Sequence, residues 1–269
     1  LNLSLIKLAK KINMPEGPEL RLMADYLNQY KNEKILRTEK SSVTKIKTDD
    51  LNCSHIFRVA ESRGKELVLT FENFDSQIIR YSFSMGMSGN WLASTTELPK
   101  HSHFKIIFQD KVICMVDPRR FAKWKIVTDW NQDRSPDPVL QPKEWWVHFN
   151  HHIGKKKYDA IPIYELLMDQ FLFNGVGNYI RAEVLYRMDI DPKLNHWDVE
   201  IPALHKAICE VMKEAYAVGG LEMSAFKNPN DSDTTKNKGD WQQCYNKPNM
   251  ASIVDSNGRK FWYNPKWNL

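Results

Sequence analysis

Cysteine is scarce in this chain, with four in 269 residues at positions 53, 114, 209 and 244 and no Cys-x-x-Cys pair among them. Such spacing writes neither a disulfide framework nor a four-cysteine zinc site, and it suits a reducing compartment. No apolar run approaches the roughly 18 residues that a membrane-spanning helix requires. Neither sign of charge dominates: 38 Lys and Arg against 33 Asp and Glu leave +5, too mild by itself to name a nucleic-acid partner. There is no internal repeat, and no His-Glu-x-x-His motif accompanies the eight histidines. Position 1 is not Met, and residues 1–13 hold Lys7, Lys10 and Lys11 without an acid, an arginine or a small-residue cleavage site. They read as upstream sequence before a true start at Met14; an organelle-targeting remnant and a native extension are the alternatives.

What is present is a large apolar fraction, 42% hydrophobic and 12% aromatic with nine Trp, which excludes disorder. The length allows one large domain or two modest ones, and two fit the change of texture along the chain better. Residues 20–29 read as an amphipathic helix introduced by Pro15 and Pro18. From 35 to about 127 the pattern is of short alternating runs separated by turns such as Arg63-Gly64, Gln109-Asp110 and Asp117-Pro118, as in an antiparallel sandwich or barrel. Residues 129–142, with Pro136, Pro138 and Pro142, form the best linker. The period then becomes helical, with helices expected over 145–152, 161–169, 178–187 and 201–218. A Gly-containing turn, Phe173-Asn174-Gly175-Val176-Gly177-Asn178, separates the second from the third, the outline of a helix-turn-helix element whose second helix can offer N–H groups to phosphate. Residues 228–240 are polar, and 241 to the end reads as a β-hairpin turning at Ser256-Asn257-Gly258.

Met14-Pro15-Glu16-Gly17-Pro18-Glu19 admits two readings. One is an ordinary helix start with acids at its positive end. The other is a reactive terminus, in which removal of Met14 leaves Pro15 with a free secondary amine beside Glu16. Other motifs also keep a plain alternative: Arg63-Gly64-Lys65 is a basic turn or a phosphate grip, and Phe83 to Gly89 is core plus turn or a loop carrying an apolar wedge. Asp117-Pro118-Arg119-Arg120-Phe121 is a solvated turn or an Arg-aromatic tip that meets bases. His101, His103, His148, His151 and His152 read as satisfied surface histidines before metal ligands.

Taken in order, Met14 to Leu20, Ser62-Arg63-Gly64-Lys65-Glu66-Leu67, Gly86-Met87-Ser88-Gly89, Glu97-Leu98-Pro99-Lys100-His101, Val116 to Phe121, Phe173 to Arg187 and Asn257-Gly258-Arg259 resemble the Fpg/Nei family of DNA glycosylases, and within it the eukaryotic Nei-like 1 branch. The resemblance covers residues 14 to about 265. It implies an α+β fold: an N-terminal helix plus a two-layered antiparallel β-sandwich, then a helical helix-two-turn-helix domain with a zincless β-hairpin finger. The implied divisions are an extension at 1–13, outside the mature enzyme, a catalytic sandwich domain at 14–128, a linker at 129–142, a DNA-binding helical domain at 143–225, and a mobile loop with the finger at 226–269. Of the zinc-binding cysteines of many relatives only Cys244 has a counterpart here, Lys247 standing where its partner would be, so the finger is expected to keep its shape by packing alone, with no metal and no cofactor.

The resemblance further implies a bifunctional glycosylase and AP lyase that excises oxidised bases, chiefly pyrimidines, and nicks by β,δ-elimination; a catalytically inactive damaged-DNA-binding protein of the same fold is the alternative. Pro15 would be the nucleophile, Glu16 the acid and proton shuttle, and Glu19 a supporting carboxylate, with Lys65 beside them. An α-amine, with a pKa near 7.7–8.0, is about a quarter unprotonated at pH 7.4, against about one lysine in a thousand. Extruding the target base costs about a few kcal/mol and leaves a hole that Met87, Arg119 and Phe121 would fill. Lys65, Asn178 and Arg259 would grip phosphates. The implied setting is a monomer in the nucleus, acting on damaged DNA with other base excision repair and replication proteins as further partners and no membrane.

Overall fold

The computed structural model describes residues 15–42, 55–95, 97–221 and 241–269; the extension at 1–13 and the loop expected over 226–240 lie outside them. The described residues divide into two compact units, the first holding Pro15, Glu19–Trp130 and Leu221, the second Glu16–Pro18, Asn131–Gly220 and residues 241–269. No described helix is long and apolar enough to cross a membrane.

The chain enters through helix α1 (Gly17–Leu27), whose Leu20, Met23, Ala24 and Leu27 repeat at helical spacing and are buried. It tightens into a 3-10 turn at Asn28–Tyr30, where the Asn28 side chain turns away to bond a strand. Its Oδ1 accepts from Ala60 N at 2.8 Å and its Nδ2 donates to Ala60 O at 2.9 Å. Among the described residues nine strands follow: β1 (Lys34–Ile35), β2 (Arg37–Lys40), β3 (His55–Arg63), β4 (Glu66–Glu72), β5 (Ile78–Ser84), β6 (Asn90–Ser94), β7 (Ser102–Ile107), β8 (Val112–Val116) and β9 (Lys123–Val127). They form a five-stranded sheet in the order β1-β3-β4-β5-β9 and a four-stranded one in the order β2-β7-β8-β6, all pairs antiparallel. Tyr81, Phe83 and Trp124 of the first sheet meet Trp91 and Phe104 of the second with ring centroids 5.1–5.5 Å apart, edge to face. Rings of this size bury enough apolar surface to hold two sheets together, and truncating one typically costs about 3–5 kcal/mol.

The second unit contains α2 (Pro142–His152), α3 (Ile163–Leu166), α4 (Asn178–Arg187) and α5 (Ile201–Ala217). Helix α4 coincides with the expected span. The helix expected over 161–169 is only four residues long, because Pro162 opens it and Asp169 closes it by accepting the Phe171 N–H on its side chain at 2.8 Å. A hairpin of β10 (Ala251–Val254) and β11 (Lys260–Tyr263) completes the unit. Its loop is wider than an Asn-Gly turn: Asp255 Oδ1 accepts from Asn257 N at 3.0 Å and Arg259 N at 2.8 Å, and Gly258 takes φ +74°.

The finger is not held by packing alone. Glu183 of α4, fully buried, accepts from three consecutive backbone N–H groups, Gln243 at 2.9 Å, Cys244 at 3.0 Å and Tyr245 at 2.8 Å. Glu165 accepts from the N–H and hydroxyl of Ser256 at 3.0 and 2.6 Å, and Arg181 pairs with Asp255 at 2.8 Å. Burial and the neighbouring Glu183 charge push the Cys244 thiol up to about 12. A single carboxylate thus gathers the peptide turn at 243–245. Glu183→Gln keeps one acceptor oxygen where two served three donors, and is expected to cost roughly 2–4 kcal/mol, lowering Tm by about 4–16 °C in a thermal melt.

Candidate functional site

Glu16 opens the site. Its carboxylate is 1% exposed and sits at the N-terminal end of α4, where Oε1 accepts from Tyr179 N at 3.0 Å and Oε2 from Ile180 N at 3.3 Å. Two N–H groups of the first helical turn and the positive end of the helix dipole therefore fix the acid in one orientation. Two glycines make room for it. A Cβ on Gly177 would fall inside the Glu16 carboxylate, and one on Gly17 would stand 3.2 Å from Gly175 Cα. The close approach is sealed by Gly17 N donating to Gly175 O at 2.9 Å. The motif at 173–178, read above as a turn before a helix, is thus also the seat of Glu16.

Pro15, next to Glu16 in the chain, is buried. Glu19 lies in the first unit, where its carboxylate accepts from Leu221 N at 2.8 Å. Lys65 is half-buried at the tip of the β3–β4 hairpin, whose two-residue loop begins with Gly64 at φ +55°. Arg63 at the base of that hairpin stacks on Trp130 at 5.2 Å and pairs with Glu66 at 3.6 Å.

Met87, Arg119 and Phe121 are brought together on two loops of the first unit. Asp117, with no exposed surface, accepts from the Ser88 hydroxyl, from Arg119 N at 3.2 Å and from Ala122 N at 2.7 Å, so one carboxylate ties both loops. Gly86, at φ +58°, lies so close to Phe121 that a Cβ would come within 2.7 Å of its backbone. Phe121 is 48% exposed, Met87 37%, and the Arg119 guanidinium stands 4.9 Å over the Phe121 ring. Their tips are exposed while their bases are fixed.

Asn178 is the first residue of α4, and its Nδ2 donates to Lys260 O of the finger at 2.8 Å. Arg259 stands in the loop that Asp255 shapes. Although burial opposes it, the N–H of Arg259 and the Arg181 guanidinium hold the Asp255 carboxyl below the usual range.

Sequence reasoning missed Tyr245. Its ring lies 4.6 Å from Trp262 and 6.2 Å from Tyr179, and its N–H is held by Glu183. Burial, and then the Glu16 charge, push its hydroxyl up to about 12, while the Asn178 side chain draws it down. A Cys-Tyr step inside a polar stretch gave no periodic signal. Of the five histidines only His103 departs from the expected surface position: it is buried, bridging Ser41 Oγ at 3.0 Å and Asp117 O at 3.0 Å. His148 bonds Phe171 O at 2.7 Å. Among the described residues no group of three or more His, Cys, Asp or Glu is placed to hold a metal ion.

Comparison with known proteins agrees along the chain. The formamidopyrimidine-DNA glycosylase N-terminal domain matches residues 14–124, the H2TH domain of the same enzymes residues 135–227, and the DNA-binding segment of endonuclease VIII-like 1 residues 239–266. Mouse endonuclease 8-like 1 is 30% identical over 93% of this chain and 72% of its own. The fold matches the MutM (Fpg) protein of Thermus thermophilus with a TM-score of 0.77 at 22% identity, over 94% of this chain and 98% of that one. It also matches a Lactococcus lactis Fpg in complex with DNA containing an oxidised pyrimidine, with a TM-score of 0.75 at 21% identity over 94% and 99% of the two chains.

Proposed function

Because the chain belongs to the Fpg/Nei family of DNA glycosylases of base excision repair, we propose that it excises oxidised bases, chiefly pyrimidines, through a Schiff base on Pro15 and then nicks the strand by β,δ-elimination. The observation that carries this reading is the fixed Glu16 carboxylate, immediately after a proline in the sequence and clamped on the N-terminus of α4.

In the form that begins at Pro15, the secondary amine attacks C1′ of the damaged nucleotide and the N-glycosidic bond breaks. Glu16 supplies the proton that lets the sugar ring open at its oxygen. A secondary amine can give only a cationic iminium, which makes the C2′ proton acidic; its loss expels the 3′ phosphate, and a second elimination expels the 5′ phosphate. Lys65, Asn178 and Arg259 each hold backbone phosphate, and Lys65 counts also among the catalytic residues in this reading. Met87, Arg119 and Phe121 occupy the space the extruded base leaves. Glu19 acts as a supporting carboxylate, held by the N–H of Leu221. The substrate class draws support from the fold neighbour bound to DNA with an oxidised pyrimidine. We place the protein in the nucleus as a monomer, with damaged DNA as its partner and other repair and replication proteins as further ones.

Borohydride added to the Pro15-starting protein and an oligonucleotide with an oxidised pyrimidine is expected to trap one covalent complex, and a panel of lesions then ranks the substrates. Absence of any trapped complex from that protein overturns the catalytic reading; the second reading, a binder of damaged DNA in which an internal Pro15 is a tertiary amide with no nucleophilic amine, is tested by N-terminal sequencing of the native protein.

A further inference from the structure

Asparagine presents a phosphate with either of two edges, and only the NH2 edge can donate to it. Which edge faces outward is decided by what holds the other. At Asn178 the holder is Arg181, one turn along α4 and fully buried. Its Nε and Nη2 donate to Asn178 Oδ1 at 3.0 and 2.7 Å. The same guanidinium donates to Asp255 Oδ2 at 2.8 Å and to Tyr164 O at 3.0 Å, and stands 4.9 Å over the Phe261 ring. With its oxygen committed to a cation, the Asn178 carboxamide presents its NH2 edge, which reaches Lys260 O at 2.8 Å. On the far side of the ion pair, the other Asp255 oxygen shapes the loop that bears Arg259.

We infer that Arg181 is a positioning residue for DNA binding: it fixes the Asn178 carboxamide with its N–H edge toward phosphate and, through Asp255, locks the loop that presents Arg259. This rests on the reading of Asn178 and Arg259 as phosphate ligands. Stability alone is a poor reason for such a group, because replacing a buried ion pair with apolar or neutral side chains is often neutral or stabilising. Orientation is what a guanidinium provides here and an apolar chain of similar size does not.

The test uses the Pro15-starting protein and a duplex carrying a tetrahydrofuran abasic analogue, with equilibrium binding measured as a function of salt. Each phosphate neutralised by a Lys or Arg contributes about 0.9 to the slope of log K against log salt, while a neutral carboxamide adds affinity and no slope. Arg181→Met with Asp255→Asn removes both charges and leaves a carboxamide oxygen able to accept the loop N–H groups. The pair is expected to melt within a few degrees of the parent and to bind about tenfold more weakly, with a slope shallower by roughly one contact. Arg181→Lys keeps the charge beside Asp255 without the planar fork, and is expected to fold and to show the same loss of slope. Adding Asn178→Ala to either variant should weaken binding little further. A parent slope in Arg181→Lys, or full additivity with Asn178→Ala, overturns the inference. Parent affinity in Asn178→Ala together with a parent slope in Arg259→Ala would instead remove the phosphate-ligand reading beneath it.

Discussion

Glu16→Gln in the Pro15-starting protein is expected to slow excision of an oxidised pyrimidine by at least about a hundredfold, within the range of about 10²–10⁴ that a positioned general acid contributes. Strand cleavage at a preformed abasic site should fall much less, because there the base is already gone and the amine meets an aldehyde without the acid's help. The change also disturbs the seat. A carboxamide offers one oxygen where two now accept from Tyr179 and Ile180, so one buried N–H faces an NH2 group at a cost of about 1–3 kcal/mol. Single-turnover excision and abasic-site cleavage, measured side by side on a variant shown to be folded by its melt, separate the two effects. Parent-like excision in the folded variant removes Glu16 from the chemistry.

Gly177→Ala reaches the same acid from the opposite side. The backbone at Gly177 has φ −131° and ψ −159°, which alanine adopts without strain, so any effect is steric. The added methyl falls inside the Glu16 carboxylate, and either the acid leaves the helix end or the helix start moves away. Displacement of a catalytic group by about 1 Å costs on the order of 10²-fold. We therefore expect excision to fall by about a hundredfold in a protein that keeps a chemically intact Glu16. Gly177→Ala should resemble Glu16→Gln in its ratio of excision to abasic-site cleavage, and combining the two should add little. Additive losses would mean that Gly177 serves something other than the seat of Glu16.

Much of this arrangement was legible in the sequence, for reasons that differ by element. The strands of the sandwich announce themselves by alternation, and α4 spans the expected residues because a Gly-rich turn precedes it and apolar residues run through it. The two loops carrying Met87 and Phe121 were legible as loops, and their joining through Asp117 was not, since a carboxylate's partners lie far off in the chain. The hardest residues were Arg181 and Glu183. A charged pair within Asn178–Arg187 looks like a solvated face, yet every residue from Tyr179 to Leu185 is buried. The usable signal was that apolar residues flank the charges on all sides, leaving no polar stripe to face water. Glu19 matched its motif, and the structure adds a bond to Leu221 that no local pattern could announce.

The Cys244 thiol, buried beside Glu183 and held protonated well above neutral pH, bears on the conditions in which such a protein must work. Peroxide attacks thiolate far faster than thiol, and a zinc-thiolate finger offers it several thiolates at once. Here the turn hangs on a carboxylate that no peroxide oxidises and no chelator strips. Under the proposed function, a finger so built keeps its shape through the same oxidative burst that damages the bases to be removed.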